Sequence, residues 1–216
     1  MKHKTFRGGV HPKGYKELSL GSPIEDFLPS GDLVFPVNQH IGKPAKPIVK
    51  KGDAVLAGQL IAEADGFVSA NIVSSCSGKV KAIEKRKNVL GTSDMSIVIE
   101  NDGQYTLAEG IGTEVDYTTL AGPEILDKVK AAGIVGLGGA GFPTHVKLAP
   151  KNPNDIRFVI ANGAECEPYI CCDDQLMRNY ADEIVGGLKI MLTLFPNAEG
   201  VILIEENKLE AIAAME

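Results

Sequence analysis

Gly136-Leu137-Gly138-Gly139-Ala140-Gly141-Phe142-Pro143-Thr144, followed by Asp155-Ile156-Arg157-Phe158-Val159-Ile160-Ala161, is the stretch from which the architecture is read. Five of the first nine residues carry no side chain beyond a methyl group. Glycine allows φ > 0 and lets another group approach the main chain closely. Such a loop presents bare N–H groups. Pro143-Thr144 reads as the start of a helix whose N-terminus adds unpaired donors. Together these suit an anion, most often the phosphate of a nucleotide. Gly136, Gly138 and Gly141 also satisfy G-x-G-x-x-G, a pattern that alone does not separate a nucleotide loop from a tight packing turn.

Outward from this loop, residues 122–216 read as α/β. Pro123-Glu124 opens a helix whose apolar Ile125, Leu126, Val129 and Ala132 share one face, and Gly133 closes it. Phe158 to Ala161 is continuously apolar and predicts a buried strand. Leu176, Ile184, Leu188, Met191 and Leu192 predict one helix over about 173 to 194, ended by Pro196-Asn197. Gly200-Val201-Ile202-Leu203-Ile204 predicts a second buried strand, and a helix starts within Asn207 to Glu216. Strand, helix, strand, helix implies a parallel sheet, with ligands at the carboxyl ends of the strands. Glu165/Glu167 and Glu205/Glu206 lie at those ends; the alternative for the first pair is a solvated loop.

Residues 33–100 read as β. Leu33-Val34-Phe35-Pro36-Val37, Pro47 to Glu63, Phe67-Val68, Ile72-Val73, Gly78 to Ile83 and Ser96 to Glu100 are short runs broken by turn residues, the pattern of a small sandwich or barrel. Val49-x-x-Gly52-Asp53-x-Val55-x-x-Gly58-Gln59-x-Ile61-Ala62, followed by Ser77-Gly78-x-Val80, resembles the biotinyl/lipoyl-type barrel-sandwich module. In carriers of that family a lysine sits at the hairpin tip, and the corresponding Phe67-Val68-Ser69-Ala70-Asn71 has none. The resemblance therefore implies the fold without the swinging-arm chemistry, and a structural or docking role. Residues 1–35, punctuated by glycine and proline, read as an irregular strap, with His11 and His40 as surface or interface histidines. The divisions that follow are strap 1–35, barrel-sandwich β domain 36–100, connector 101–121 and α/β domain 122–216.

The bulk properties narrow the classes. Over 216 residues, 44% are hydrophobic and 23% charged, enough for a packed core. A net charge of -6 argues against a nucleic-acid partner. No apolar run spans a membrane, and Met1-Lys2-His3-Lys4 leads into polar sequence rather than a signal segment. Cys76, Cys166, Cys171 and Cys172 do not form a disulfide scaffold in a chain of this length.

Gly136, Gly138 to Thr144, Lys147, Asn162, Glu165, Glu167 and Pro168 match Gly-x-Gly-Gly-Ala-Gly-Phe-Pro-Thr-x-x-Lys followed by Asn-x-x-Glu-x-Glu-Pro. That pattern resembles the flavin- and NADH-binding subunit of respiratory complex I. The N-terminal sandwich, Phe6-Arg7-Gly8-Gly9-Val10-His11-Pro12, Pro36-Val37-x-Gln39-His40-Ile41-Gly42 and Asp173-Asp174 are similar to the C subunit of the Rnf electron-transport complex. The electron-transfer protein of clostridial proline reductase is a similar alternative.

The resemblance implies a barrel-sandwich hybrid domain followed by a Rossmann-like α/β domain that binds FMN and NADH. Hydride passes from NADH to FMN, and electrons go on toward [4Fe–4S] clusters and ferredoxin as ultimate acceptor. It implies Gly136, Gly138, Gly139, Ala140, Gly141 and Phe142 against the flavin or nucleotide, and Lys147 on phosphate. Asn162 would bond the isoalloxazine edge, Glu165 and Glu167 would contact NADH, and Glu205 and Glu206 would lie at the flavin. Phe142 either stacks on a base or anchors the loop. No acid–base catalyst and no metal set are implied. Ala164 stands where the complex I relatives carry an acidic residue, and Glu206-Asn207 where they carry Gly-Glu; both departures touch flavin contacts. The cluster-binding Cys-x-x-Cys-x-x-Cys-x-x-x-Cys-Pro run is absent, and Cys166, Cys171 and Cys172 have neither its spacing nor its count. The chain therefore reads as the N-terminal part of a longer subunit, peripheral on the cytoplasmic side of the membrane and partnered by the other subunits of the complex. The competing function is a non-catalytic docking or assembly module.

Overall fold

Apolar residues at 33–35 and 97–99 form the first ladder of the fold. In a computed structural model, which describes residues 8–10, 12–88, 91–137, 139 and 141–216, β1 (Asp32–Pro36) is the edge of a four-stranded antiparallel sheet. Its order is β1-β7-β6-β3, with β3 (Ala54–Val55), β6 (Gly78–Lys87) and β7 (Ser93–Asn101). A second sheet has the order β2-β4-β5, from β2 (Lys46–Pro47), β4 (Leu60–Glu63) and β5 (Ile72–Val73). Phe35 pairs with Ile97 and Leu33 with Ile99, so all four point to one face. Val80 and Ile83 are three residues apart, yet both meet that core; the register shift between Val80 and Ala82 inserts the residue that makes this possible. Ile61, Ile72, Val55 and Cys76 fill the rest. Each fully buried isoleucine stabilises by about 1.5–3 kcal/mol relative to an exposed one.

Phe67-Val68 is a bend, not a strand. Lys43 N–H donates to Val68 O, which takes that backbone out of any ladder. His40 is buried rather than a surface histidine, and His11 lies outside the described residues. The connector is packed and not free. Leu107 bridges to Ala57, and Ala57 N–H and Ala108 N–H close reciprocal bonds across it.

The chain divides into two compact units, Phe27–Pro153 and Asn154–Glu216 joined by the described residues up to Asp26. This cut differs from the one at 101–121. The connector, α1 (Gly122–Ala131), the glycine loop and α2 (Thr144–Lys147) go with the sandwich, as do strap residues 27–35, while the strap up to Asp26 goes with the α/β unit. In α1, Glu124 reaches back to accept the Ala121 N–H, and Gly133 at φ 66 stops the helix.

In the α/β unit, β8 (Phe158–Gly163) and β9 (Glu199–Ile204) pair in parallel. The helix expected over 173–194 is two, α3 (Cys172–Asn179) and α4 (Ala181–Leu192). Tyr180 leaves the helical region at φ -134, and Asn179 caps the break by donating to Gln175 O. α5 (Leu209–Met215) follows β9. Met177 packs at Gly163, and Leu188 and Leu192 at Gly200, so α3 and α4 cover the same face of the sheet. The opposite face corrects the buried-strand reading: Phe158 is 54% and Ile160 52% exposed. A continuous apolar run does not say how many faces are covered.

Candidate functional site

The glycine loop is a closed turn on the sandwich unit. Gly136 N–H donates to Phe142 O at 2.9 Å, Thr144 N–H donates to Ile134 O at 3.0 Å, and Val135 and Pro143 bridge antiparallel beneath them. Pro143 is fully buried, whereas Leu137 is 94% exposed. Gly139 is exposed, and a β-carbon there would meet nothing within 4 Å, so the loop has open space at its crest. Gly141 at φ 61 stands where a β-carbon would come within 2.9 Å of Gln39 O. Phe142 is half-buried and Lys147 exposed, while Gly138 and Ala140 lie outside the described residues.

The helix after the loop is a single turn. Pro143 caps it from outside, Thr144 N–H is already bonded, and the Val146 and Lys147 N–H groups return to Pro143 O. The expected contribution of a helix N-terminus is thus largely consumed internally. Sequence reading missed His145 in this turn. Burial, and then the Lys130 ammonium, push its imidazole below the ordinary value, so it is neutral at pH 7.

The acidic groups belong to the α/β unit. Asn162 is exposed, accepts the Ala164 N–H at 3.1 Å, and lines a hollow of about 220 Å³ with Asp173, Met177 and Ile202. Glu165 turns inward and is buried. Its Oε1 accepts the Asp173 N–H at 2.9 Å and the Cys172 thiol at 3.3 Å. Its Oε2 accepts no hydrogen bond and lies 3.8 Å from Lys16 Nζ and 3.6 Å from Lys208 Nζ. Burial would raise the Glu165 carboxyl. The Asp173 N–H, the Cys172 thiol and the two lysines outweigh burial and hold the carboxyl below the ordinary value. Burial, then Glu165, raises Asp173 in turn. Glu165, Cys172 and Asp173 also bring one ligand atom each within 4.8 Å of one another, but the two ammoniums compete there for the same carboxylate.

Glu165 and Glu205 line one cavity of about 490 Å³ together with Lys13, Tyr15, Lys16 and Asn207. Glu205 Oε2 is buried with no hydrogen-bond partner, so a donor-bearing ligand would satisfy it. Glu167 and Glu206 are exposed. The strap side of this cavity was not read from the sequence. Lys16 Nζ donates to Glu165 O and to Ile170 O, Tyr15 stacks on Tyr169 with ring centroids 5.4 Å apart, and Gln175 donates to Leu20 O. Only long-range contacts join these residues, and local periodicity carries no trace of them.

The thiols offer a direct check. Cys166 and Cys172 are both exposed, but desolvation and the Glu165 carboxylate raise Cys172, and burial raises Cys76. The thiolate is the reactive form. Maleimide labelling of the native protein at pH 7.5 is expected to modify Cys166 first, Cys172 more slowly because its thiolate is disfavoured, and Cys76 only on unfolding. Peptide mass mapping over time reads the order; equal rates for Cys166 and Cys172 would contradict the Glu165–Cys172 contact.

In the α/β unit the orphaned Glu205 oxygen offers an acceptor to a ligand donor, and the sandwich unit separately offers open space beside Gly139. The comparisons name FMN: residues 129–216 match the family described as Nuo51 FMN-binding domain, and residues 4–104 match RnfC Barrel sandwich hybrid domain. The C subunit of a proton-translocating ferredoxin:NAD(+) oxidoreductase complex of Clostridium ljungdahlii is 46% identical over 98% of the chain and 46% of its own length. Its Na(+)-translocating counterpart in Acetobacterium woodii is 43% identical over 100% of the chain and 48% of its own length. The C subunit of the ion-translocating oxidoreductase complex of Rhodobacter capsulatus is 42% identical over 98% and 41%. The chain spans just under half the length of these relatives. With two domain matches in this order and relatives aligned along nearly all of its residues, the chain belongs to the RnfC family, the C subunits of Rnf-type ion-translocating oxidoreductase complexes.

Proposed function

We propose that this chain is the FMN-binding, NADH-oxidising part of an RnfC subunit. The observation that carries the reading is the pinned glycine loop with open space at Gly139, which lies inside the segment matching an FMN-binding domain. FMN, when bound, supplies hydride acceptance from NADH and single-electron release. The chain's own residues bind and orient. The exposed Lys147 ammonium and loop N–H groups neutralise phosphate. On the sandwich unit Phe142 and Leu137 offer apolar contact; on the α/β unit, taken by itself, Asn162 offers an amide and the buried Glu205 oxygen an acceptor for a hydroxyl or amine donor. Glu167, exposed on the same segment, is the better placed of the first pair to meet NADH, because Glu165 is held by the protein. No acid–base group is needed, since hydride transfer depends on orientation.

The parallel β8–β9 pair with α3 and α4 supports a Rossmann-like α/β half. No helix among the described residues is long and apolar enough to cross a membrane. That fits a peripheral subunit, for which we propose the cytoplasmic face, the other subunits of the complex as partners, [4Fe–4S] clusters elsewhere in the subunit as next carriers, and ferredoxin as acceptor.

Titration of FMN with the purified chain, followed by flavin fluorescence and then anaerobic NADH, tests this. Saturable quenching at micromolar FMN, a binding free energy of about 8 kcal/mol, with bleaching at ~450 nm on NADH addition, is the expected result. If neither this chain nor the full-length subunit binds FMN, the reading fails and an assembly module is what remains.

A further inference from the structure

The resemblance to biotinyl/lipoyl carriers puts the carrier lysine within 67–71, where this chain has a bend at 66–68 with Phe67 exposed, and the residues that follow it turn inward. Ser69 and Ala70 are buried, and Ser69 Oγ accepts the Asp65 N–H and donates to Lys43 O at 2.8 Å. Ala70 N–H donates to His40 Nε2 at 3.2 Å. His40 is 6% exposed, and its Nδ1 lies 3.1 Å from Ile41 O. An amide N–H can only donate, so Nε2 is the acceptor there and Nδ1 is left to donate to Ile41 O. The other backbone group of the same residue, Ile41 N–H, donates to Gly141 O at 3.3 Å. A β-carbon on Gly141 would stand 3.1 Å from His40 Cα. Next along the bend, Asn71 O lies 2.4 Å from where a Gly133 β-carbon would stand. The bend and its histidine therefore hold the glycine-loop segment at both ends, Gly133 before it and Gly141 at its close.

We propose that His40 is a positioning residue for FMN. The sandwich has turned its carrier tip into a clamp that, through the His40 imidazole and the Gln39–Ile41 backbone, sets the conformation of the glycine loop. The step from loop to FMN rests on the function proposed above; the clamp itself does not.

His40→Leu removes both imidazole bonds. His40→Gln retains an acceptor for Ala70 N–H. Gly141→Ala disturbs the same junction from the loop side. Hydrogen exchange of the unliganded protein is read on a peptide spanning 134–144, with FMN affinity measured in parallel. Losing a buried acceptor is expected to raise exchange over 134–144 in His40→Leu by about tenfold, with β6 and β7 unchanged. FMN dissociation should weaken by about tenfold, and His40→Gln should recover most of both. If His40→Leu does not fold, Gly141→Ala carries the exchange test. Unchanged exchange over 134–144 in a folded variant overturns the clamp. Released exchange with unchanged FMN affinity, in a protein that binds FMN, leaves the clamp standing and overturns the loop as the flavin seat.

Discussion

Gly78→Ala is expected to cost the β unit more than about 4 kcal/mol, a range reached only by specific structural failures, and thus to leave it largely unfolded at 37 °C. Gly78 sits at φ 150 where β6 crosses between its two neighbours, pairing with Val55 on one side and Asn101 on the other. A β-carbon there would stand 2.1 Å from Glu100 O and 3.2 Å from Asn101 Cα. Both are backbone atoms of the adjacent strand, so no rotamer change relieves the contact. Relief requires β6 and β7 to separate beside Val80 and Ile99, which are essentially inaccessible. The total stability of a domain is only about 5–15 kcal/mol. Gly52→Ala is the control: φ is 96 but nothing lies within 4 Å, so only the backbone strain of about 1 kcal/mol is expected. Urea unfolding followed by circular dichroism compares the two. Equal and small losses would mean that β6 and β7 are not this close at Gly78.

Lys208→Met is expected to destabilise the α/β unit by up to about 3 kcal/mol, the lower end of what breaking a buried ion pair costs, since each carboxylate keeps one more distant cation. Lys208 is 7% exposed, with Nζ 3.6 Å from Glu165 Oε2 and 3.8 Å from Asp174 Oδ1. Both carboxylates are buried. Without Lys208, Glu165 Oε2 retains only Lys16 at 3.8 Å, and Asp174 retains Arg178 at 3.5 Å. Adding Glu165→Gln to Lys208→Met should recover part of the loss, because the under-compensated buried charge goes with it.

The pH dependence follows from the direction of the Glu165 shift. A carboxylate held below its ordinary value contributes stability that is fully present above that value and is lost as pH falls through the folded one. Acid therefore removes part of what Lys208 supports in the native protein, and the gap between native and Lys208→Met narrows below the ordinary glutamate range. Asp173 runs the other way. Its carboxyl is raised, so its cost at neutral pH is relieved on protonation, which softens the acid loss. Thermal melts from pH 7 to pH 3 read this directly; a gap that widens in acid would overturn the assignment of Lys208 to Glu165.

Much of the architecture is visible in local sequence. Leu33 and Phe35 alternate with polar or half-exposed neighbours and pair as strands do. Gly78 in Ser-Gly-x-Val marks a point where only glycine fits, and Gly133 ends α1. Each of these signals depends on steric rules acting within a few residues. The coverage of β8 is different, since Phe158 and Ile160 are apolar whether or not a second face is packed. The break at Tyr180 is also different, because the apolar stripe continues across it.

The candidate site divides along the same line. The amino-acid order determined the glycine turn, the strand ends carrying Glu165 and Glu205, and the absence of a lysine at the carrier tip, because each is a matter of residue type at short spacing. Tertiary structure alone decided that Glu165 faces two lysines rather than solvent, that Lys16 reaches it across 149 residues, and that His40 bonds Ala70 while its neighbour Ile41 bonds Gly141. The physical reason is chain closure. A buried charge or imidazole is satisfied by whatever group the fold brings within about 4 Å, and nothing in the local periodicity of either partner records which group that is.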